Sequence, residues 1–459
     1  MNPDHSKKKS LTNSTGADAT NYMSVAHDLR IDEQVEDNSL GARTLRKVAW
    51  RIIPFLCLLY IFNILDRSNV GFARLGMQED LGMTKEVFDI GFGMFFVGYL
   101  LFEVPSNLLL QRFGARRWIA RIMITWGLMS SATMFVTNVT GFYLIRVLLG
   151  IAEAGFFPGI ILYLSFWFPD RQRARMIAYF MLAIALASVL GNPVSGSIMH
   201  YLDGHFGLHG WQWVFLLEGI PTVLLGVFVL FYLTDTPQQA KWLLDEERAW
   251  LVAELEREDH DRRIKHGAGH WTAMLDRRVW LLIAIYFTVA VGTNATSAYL
   301  PSLLKERFEG WNHLQIGLLS SLPHLAAIAT MIVFSRSSDR LVERRLHVAA
   351  AALLAAIGWA MIAMTTQREI ALIGLCLAQG GMMAMLPVFW AIPSTFLSGA
   401  AAAGGIALIN SLANIGGFFG PIILGQYGLW PLAVIMLCGA ALAMCIRREQ
   451  IETNMKGTT

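Results

Sequence analysis

The sequence predicts an all-α membrane protein whose twelve spanning helices form two six-helix bundles. Of its 459 residues, 55% are hydrophobic and only 15% are charged, with a mean hydropathy of +0.47. That balance leaves a soluble globule too little polar surface. Apolar runs of spanning length recur along the chain, and Lys and Arg gather in every other connection between them.

A spanning helix takes about 20 apolar residues. The first half offers runs near 48–72, 88–110, 118–137, 140–164, 174–200 and 213–233. The second offers runs near 279–300, 314–335, 346–366, 370–392, 402–425 and 429–446. The chain therefore divides into a flexible tail (1–42), a first bundle (43–233), a central loop (234–278), a second bundle (279–448) and a short tail (449–459). The first tail is polar and mixed in charge, with no apolar core of signal-peptide length. In the central loop Asp235 or Thr236 can cap a helix, Pro237 suits its first turn, and Trp242, Trp250 and Leu251 supply an apolar side, which predicts a surface helix. Only Gln426, Tyr427 and Gly428 separate the last two runs, and the final run is short.

Positive charge fixes the orientation. Arg43, Arg46, Lys47 and Arg51 precede the first run, Arg112, Arg116 and Arg117 follow the second, and Arg171, Arg173 and Arg175 follow the fourth. The trend continues with Arg262, Arg263, Lys265, Arg277 and Arg278, then Arg336, Arg340, Arg344 and Arg345, then Arg447 and Arg448. Both termini are expected in the cytoplasm. The opposite loops hold few cations, Arg74, Lys85, Lys305, Arg307 and Arg368, and place Trp211, Trp213 and Trp311 where an aromatic belt belongs. Arg112, Arg116 and Arg117 after run two share their spacing with Arg340, Arg344 and Arg345 after run eight, which points to a parallel internal repeat.

Several function classes drop out. No metal-ligand cluster, nucleotide loop or nucleophile with a base appears, so the chain is not read as an enzyme and no cofactor is expected. Net charge is only +3, and nucleic acid is not an expected partner. Cys57, Cys376, Cys438 and Cys445 sit inside apolar runs without CxxC spacing and read as small buried hydrophobes.

Charge inside the apolar runs carries the function. A charged side chain at mid-bilayer costs roughly 2.5–3.5 kcal/mol on insertion scales, so such residues are kept for work. Asp66 and Arg67 lie adjacent in run one and point about 100° apart on a helix, free to face different partners. Arg146 and Glu153 in run four stand close to two turns apart on one face, separated by roughly 10 Å along the axis. Guanidinium offers a permanent charge and a planar fork that matches a carboxylate, whereas a buried carboxyl exchanges protons as its surroundings change. Two such cations and two such acids describe a path for a small organic anion and protons, with Arg67 and Arg146 binding and Asp66 and Glu153 switching. Asn410 and Asn414, one turn apart in run eleven, suit ligand hydroxyl or carboxylate groups, or helix packing. Glu103 and Glu218 each lie near a proline and read as interhelical hydrogen-bonding groups, and His324 beside Pro323 reads as a local one. Ala183, Ala187, Gly191 and Ser195, the pair Gly155 and Gly159, and the pair Gly416 and Gly420 allow close helix approach.

These motifs carry a resemblance. LDRSNVGFA, FEVPSNLLLQRFGARRW, IRVLLGIAEAGFFPG, SFWFPDRQRAR, WQWVFLLEGIP, SSDRLVERR and IALINSLANIGGFFGP follow one another between Val48 and Arg448. In that order they resemble the anion:cation symporter family of bacterial organic-anion permeases, within the major facilitator superfamily. The resemblance implies proton-driven uptake by alternating access, with Asp66 and Glu153 matching proton-coupling acids and Arg67 and Arg146 matching substrate-binding arginines. It also implies a cytoplasmic gating motif at Arg112 and Arg116, repeated at Asp339, Arg340 and Arg344, with Gln111 where the first copy usually has an acid. The expected protein is a monomer of the bacterial inner membrane that imports a carboxylate. A drug antiporter, or a non-transporting nutrient sensor of the same fold, is the alternative.

Overall fold

The computed structural model of the protein describes residues 40–265, 276–341, 343–393, 396 and 399–446. Most of the first tail and all of the last lie outside the described residues. The first half runs through α1 (Leu40–Asp80), α2 (Lys85–Phe113), α3 (Ala115–Ala132), α4 (Val139–Glu153), α5 (Phe156–Ser165), α6 (Asp170–Tyr201) and α7 (Gly210–Tyr232). After α8 (Asp245–Lys265) come α9 (Arg277–Arg307), α10 (His313–Leu341), α11 (Arg345–Met364), α12 (Arg368–Trp390), α13 (Gly399–Ala413), α14 (Ile415–Tyr427) and α15 (Trp430–Met444).

Short polar side chains start several of these helices by occupying otherwise unpaired first-turn N–H groups. The Thr84 hydroxyl accepts from the Val87 N–H at 3.3 Å, Asn138 from Gly141 at 2.8 Å and Asp276 from Arg278 at 2.9 Å. Gly114 alone joins α2 to α3 at φ +87°, a left-handed turn that a side chain would strain.

Among the described residues, nine helical stretches are long and apolar enough to cross a membrane, with α4 and α5 taken as one stretch. The shorter apolar α15, α3 with its early Arg116, Arg117 and Arg121, and α6 bring the crossings to the expected twelve. Leu101, Leu108, Leu144, Leu224, Phe231 and Val333 are exposed on the outside of the bundles, where lipid rather than water suits them.

Packing repeats with the chain. In the first half α1 packs on α6, α2 on α4 and α3 on α7; in the second, α9 packs on α14, α10 on α12 and α11 on α15. The second set is the first shifted by six crossings, as a parallel repeat demands. The halves meet where α1 faces α9, α2 faces α14 and α6 faces α10. An alanine Cβ at Gly420 would overlap the Val291 carbonyl, so α9 and α14 lie with backbones almost touching.

The end of the molecule carrying Arg43, Arg112, Arg116 and Arg344 is called the basic end below. At the opposite end the two bundles are pinned together. Arg74 donates to Asp89 at 2.8 Å and to the Tyr299 hydroxyl at 2.9 Å, and that hydroxyl donates to Asp89 at 2.7 Å. Arg74 and Asp89 belong to the first bundle and Tyr299 to the second, and all three are buried. The Asn192 amide reaches the Ser320 carbonyl at 3.1 Å, and the Ser321 hydroxyl reaches the Val189 carbonyl at 2.9 Å.

Four expectations change. Arg74 is not a loop cation but a buried part of this lock, because α1 continues to Asp80. Trp211 is buried and donates to Asp80 at 2.6 Å, instead of joining an aromatic belt. Run four is interrupted directly after Glu153, where Ala154 takes extended geometry and Gly155 turns to φ +85°. Asp235 caps α3 rather than the central-loop helix: its Oδ1 accepts from the Arg116 N–H at 2.8 Å. That helix begins only at Asp245 and lies against α1, where Trp250 covers Gly41 and Glu247 pairs with Lys47 at 2.7 Å.

The close approach of α9 and α14 gives a stability test. Gly420→Ala forces the helices apart and is expected to cost about 1–3 kcal/mol, as overpacked cores do. A thermal midpoint in detergent equal to the parent's contradicts this.

Candidate functional site

Helical spacing on α1 splits its polar residues between two sides. Asn63 and Arg67, one turn apart, face the end of α4, while Asp66 and Asn69 face α3 and α7. Adjacent in sequence, Asp66 and Arg67 consequently have separate partners.

The central pair is Arg67 and Glu153. The Arg67 Nε donates to Glu153 Oε1 at 2.5 Å, and Asn63 Nδ2 donates to the same oxygen at 2.7 Å. Glu153 is 1% exposed, whereas the Arg67 side chain keeps 31% of its surface open. The Arg67 guanidinium lies over the rings of Phe95, at 5.2 Å, and Tyr99, at 5.1 Å, which supply a cation–π cradle. Glu153 is the last residue of α4, so the break at Gly155 sets its carboxyl at a helix end.

Arg146 shares one of these rings, Phe95. Its guanidinium is 5.1 Å from the Phe95 centroid and 5.4 Å from that of Phe92. One nitrogen donates to the Phe92 carbonyl at 3.3 Å, and Nε and Nη1 have no hydrogen-bond partner. The residue is 2% exposed. Both arginines therefore border Phe95, Arg67 partly accessible and Arg146 buried. No ion pair joins Arg146 to Glu153 among the described residues, although both sit on one helix.

Asp66 is directed away from the arginines. It accepts from Ser130 at 2.7 Å, Thr222 at 3.1 Å and Asn69 at 3.2 Å. Glu103 crosses between the bundles as an interhelical acceptor, taking the Asn410 amide at 3.1 Å and the Ser411 hydroxyl at 2.7 Å. Asn410 thus has a carboxylate partner, while Asn414, half-buried, marks the junction of α13 and α14. His324 Nδ1 lies 3.1 Å from the Ser320 carbonyl, the local contact expected of it.

The gating candidates stand at the basic end and bond within their own bundles. Arg116 pairs with Asp235 at 3.7 Å, so the acid missing at Gln111 is supplied from beyond α7. Arg344 pairs with Asp339 at 2.6 Å. Arg112 is exposed, with its guanidinium 5.8 Å from the Phe113 ring, and Arg340 is exposed as well.

Sequence reasoning missed Asn63, Phe95, Tyr99, Ser130, Asn69 and Thr222. Asn63 was legible as the residue one turn before Arg67. The aromatic pair Phe95 and Tyr99 also shows one-turn spacing, but nothing local reveals that it faces Arg67.

The sequence matches the family profile described as Major Facilitator Superfamily over residues 56–421. A protein of Agrobacterium vitis that carries the name of a tartrate transporter is 47% identical over 437 residues, covering 92% of this chain and 96% of that protein. A protein named quinolone resistance transporter, from Acinetobacter baumannii, is 38% identical over 427 residues, covering 89% of this chain and 97% of its own. Among solved structures, the partially occluded inward open xylose transporter XylE of E. coli superposes with a TM-score of 0.69. It covers 87% of this chain and 96% of its own at 15% identity, a likeness of fold. With the profile spanning most of the chain and a relative of nearly equal length at 47% identity, the chain belongs to the Major Facilitator Superfamily and is an integral membrane transporter.

Proposed function

We propose that this transporter imports a small carboxylate together with protons, by alternating access across a bacterial inner membrane with both termini in the cytoplasm. The observation that carries the reading is the pairing of Arg67 with Glu153. A substrate carboxylate needs the same guanidinium fork that Glu153 occupies, so the two acids compete for one cation. An incoming anion displaces Glu153, and Glu153 is stable away from Arg67 only as the neutral acid, since an unpaired charge in an apolar interior is expensive. Anion and proton therefore bind together, which is symport. When the anion leaves, Glu153 loses its proton and takes Arg67 back, the arrangement this structure describes.

Arg146 supports the same substrate class, since its two unpartnered N–H groups suit a second anionic or hydroxyl group once Phe92 and Phe95 move. In the outward state Asp66 takes a proton as well. The lock of Arg74, Asp89 and Tyr299 closes the periplasmic side, and the opening of that lock exposes the site outward. The pairs at Arg116 and Arg344 brace the cytoplasmic ends of their bundles, and the working unit is one chain. The A. vitis relative named for tartrate fits this substrate class.

The A. baumannii relative favours a second reading, export of a drug. Two guanidinium groups beside the path repel amphipathic cations, so export of a cationic drug ranks below carboxylate uptake. Labelled tartrate uptake and cationic-dye efflux, measured in one proteoliposome preparation, separate the two.

Glu153→Gln is expected to abolish tartrate accumulation driven by a pH gradient while retaining counterflow exchange. Full accumulation by this variant refutes the coupling role. Arg67→Ala removes charge-assisted hydrogen bonds worth about 1.5–3 kcal/mol, so half-saturation should rise about 10- to 100-fold; an unchanged value removes Arg67 from the binding site. Asp89→Asn should loosen the periplasmic lock, and Ser297→Cys, on α9 where the Ser297 carbonyl abuts Gly71 of α1, should then react faster with an impermeant maleimide applied from that side. Equal labelling with and without the substitution contradicts the gate.

A further inference from the structure

The proposed cycle leaves two buried acids unused, Glu103 and Glu218, and of these Glu103 has both oxygens hydrogen-bonded while Glu218 does not. Glu218 on α7 is 2% exposed. Its Oε1 accepts from the Ser195 hydroxyl at 2.6 Å, and its Oε2 is buried without a hydrogen-bond partner. The Asn69 side chain lies against this carboxyl. Asn69 spends its amide N–H on Asp66 at 3.2 Å, and its own Oδ1 is likewise buried and unpartnered.

Glu218 Oε2 is thus a carboxyl oxygen in an apolar interior with no donor. A buried charge on an oxygen without a donor is costly, and a proton on Glu218 Oε2 removes that charge. The surroundings also disfavour a charge. The polar groups around the two acids are neutral: Ser195 from α6, Ser130 and Ser131 from α3 and Asn69 from α1, with Thr222 from α7 itself. The titratable group facing Glu218 is Asp66. Among the described residues no Lys, Arg or His is bonded to either acid. Two negative charges in such a box repel with nothing to offset them, so the pair holds at most one.

We propose that Glu218 is a neutral acid that carries its proton on the unpartnered Oε2, and that it is a further proton-binding group of this transporter beside Glu153 and Asp66. Glu218 lies eight residues inside the start of α7, about 12 Å along its axis, while Asp66 lies fourteen residues from the end of α1 at the same side, about 21 Å. A proton entering from the periplasm meets Glu218 before Asp66. While Glu218 stays neutral, Asp66 is free to ionise or to accept a proton, so the state of one acid sets that of the other. The inference rests on the proton-coupled reading above, but its test needs no transport.

Infrared difference spectroscopy of the full-length protein in lipid nanodiscs, titrated with acid and alkali alone, reads the group directly. At neutral pH the wild type should show the carbonyl band of a protonated, buried carboxylic acid, and Glu218→Gln should remove that component. Ser195→Ala, which deletes the donor to Oε1 and keeps the acid, should move the band to higher frequency, and decides the matter if the glutamine variant does not fold. No such band in the wild type, or a band unmoved in both variants, overturns the proposal. Loss of symport in the Glu153 experiment is a separate outcome, since the infrared band is present or absent whatever drives uptake.

Discussion

A guanidinium and a carboxylate held together in an apolar interior constrain everything around them. Neither Arg67 nor Glu153 is tolerable alone where it stands, because charge transferred out of water must find opposite charge or hydrogen-bond partners. Asn63 and the rings of Phe95 and Tyr99 complete the coordination of the pair, and the interruption after α4 gives Glu153 its place at a helix end. A second carboxylate brought by a ligand disturbs this balance, and a proton is the smallest thing that restores it. In the proposed cycle, coupling of anion to proton follows from one shared cation rather than from any distant linkage.

The same constraint orders the other buried acids. Asp89 finds Arg74, Glu103 finds an amide and a hydroxyl across the bundle interface, and Asp66 finds three neutral donors. Two of these arrangements, at Asp89 and Glu103, join one bundle to the other, toward opposite ends of α2. Both must rearrange whenever the halves move. Polar contacts suit such seams, since water can replace a broken hydrogen bond when a gap opens, whereas an interlocked apolar face offers no substitute.

Much of this was legible locally and some was not. Twelve apolar runs and the alternation of Arg and Lys gave the crossings, and the matching spacing at Arg112 and Arg340 announced the repeat that the paired helix contacts display. Helix periodicity separated Asp66 from Arg67 correctly because it depends only on neighbours along one helix. Partners far apart in the chain escaped. Arg74 was read as a loop cation because Asp89 and Tyr299 lie fifteen and 225 positions away. Asp235 was assigned to the helix that follows it, and it binds one that begins 120 positions earlier. The break in run four did carry a signal, Gly155 followed by Pro158, but the apolar pattern continues through it and periodicity alone reads it as unbroken.

The brevity of the final crossing reaches beyond the protein. α15 has fifteen residues, about 22 Å of helix against a hydrocarbon layer about 30 Å thick. Its inner face is fixed by packing on α9 and α11, and Val434, Leu437 and Met444 meet acyl chains on the other. Lipids beside it must compress or disorder to cover this stretch, at a fraction of a kcal/mol per Å of mismatch. One flank of the transporter therefore carries a collar of thinned bilayer, which makes the second bundle sensitive to the acyl-chain length of the host membrane.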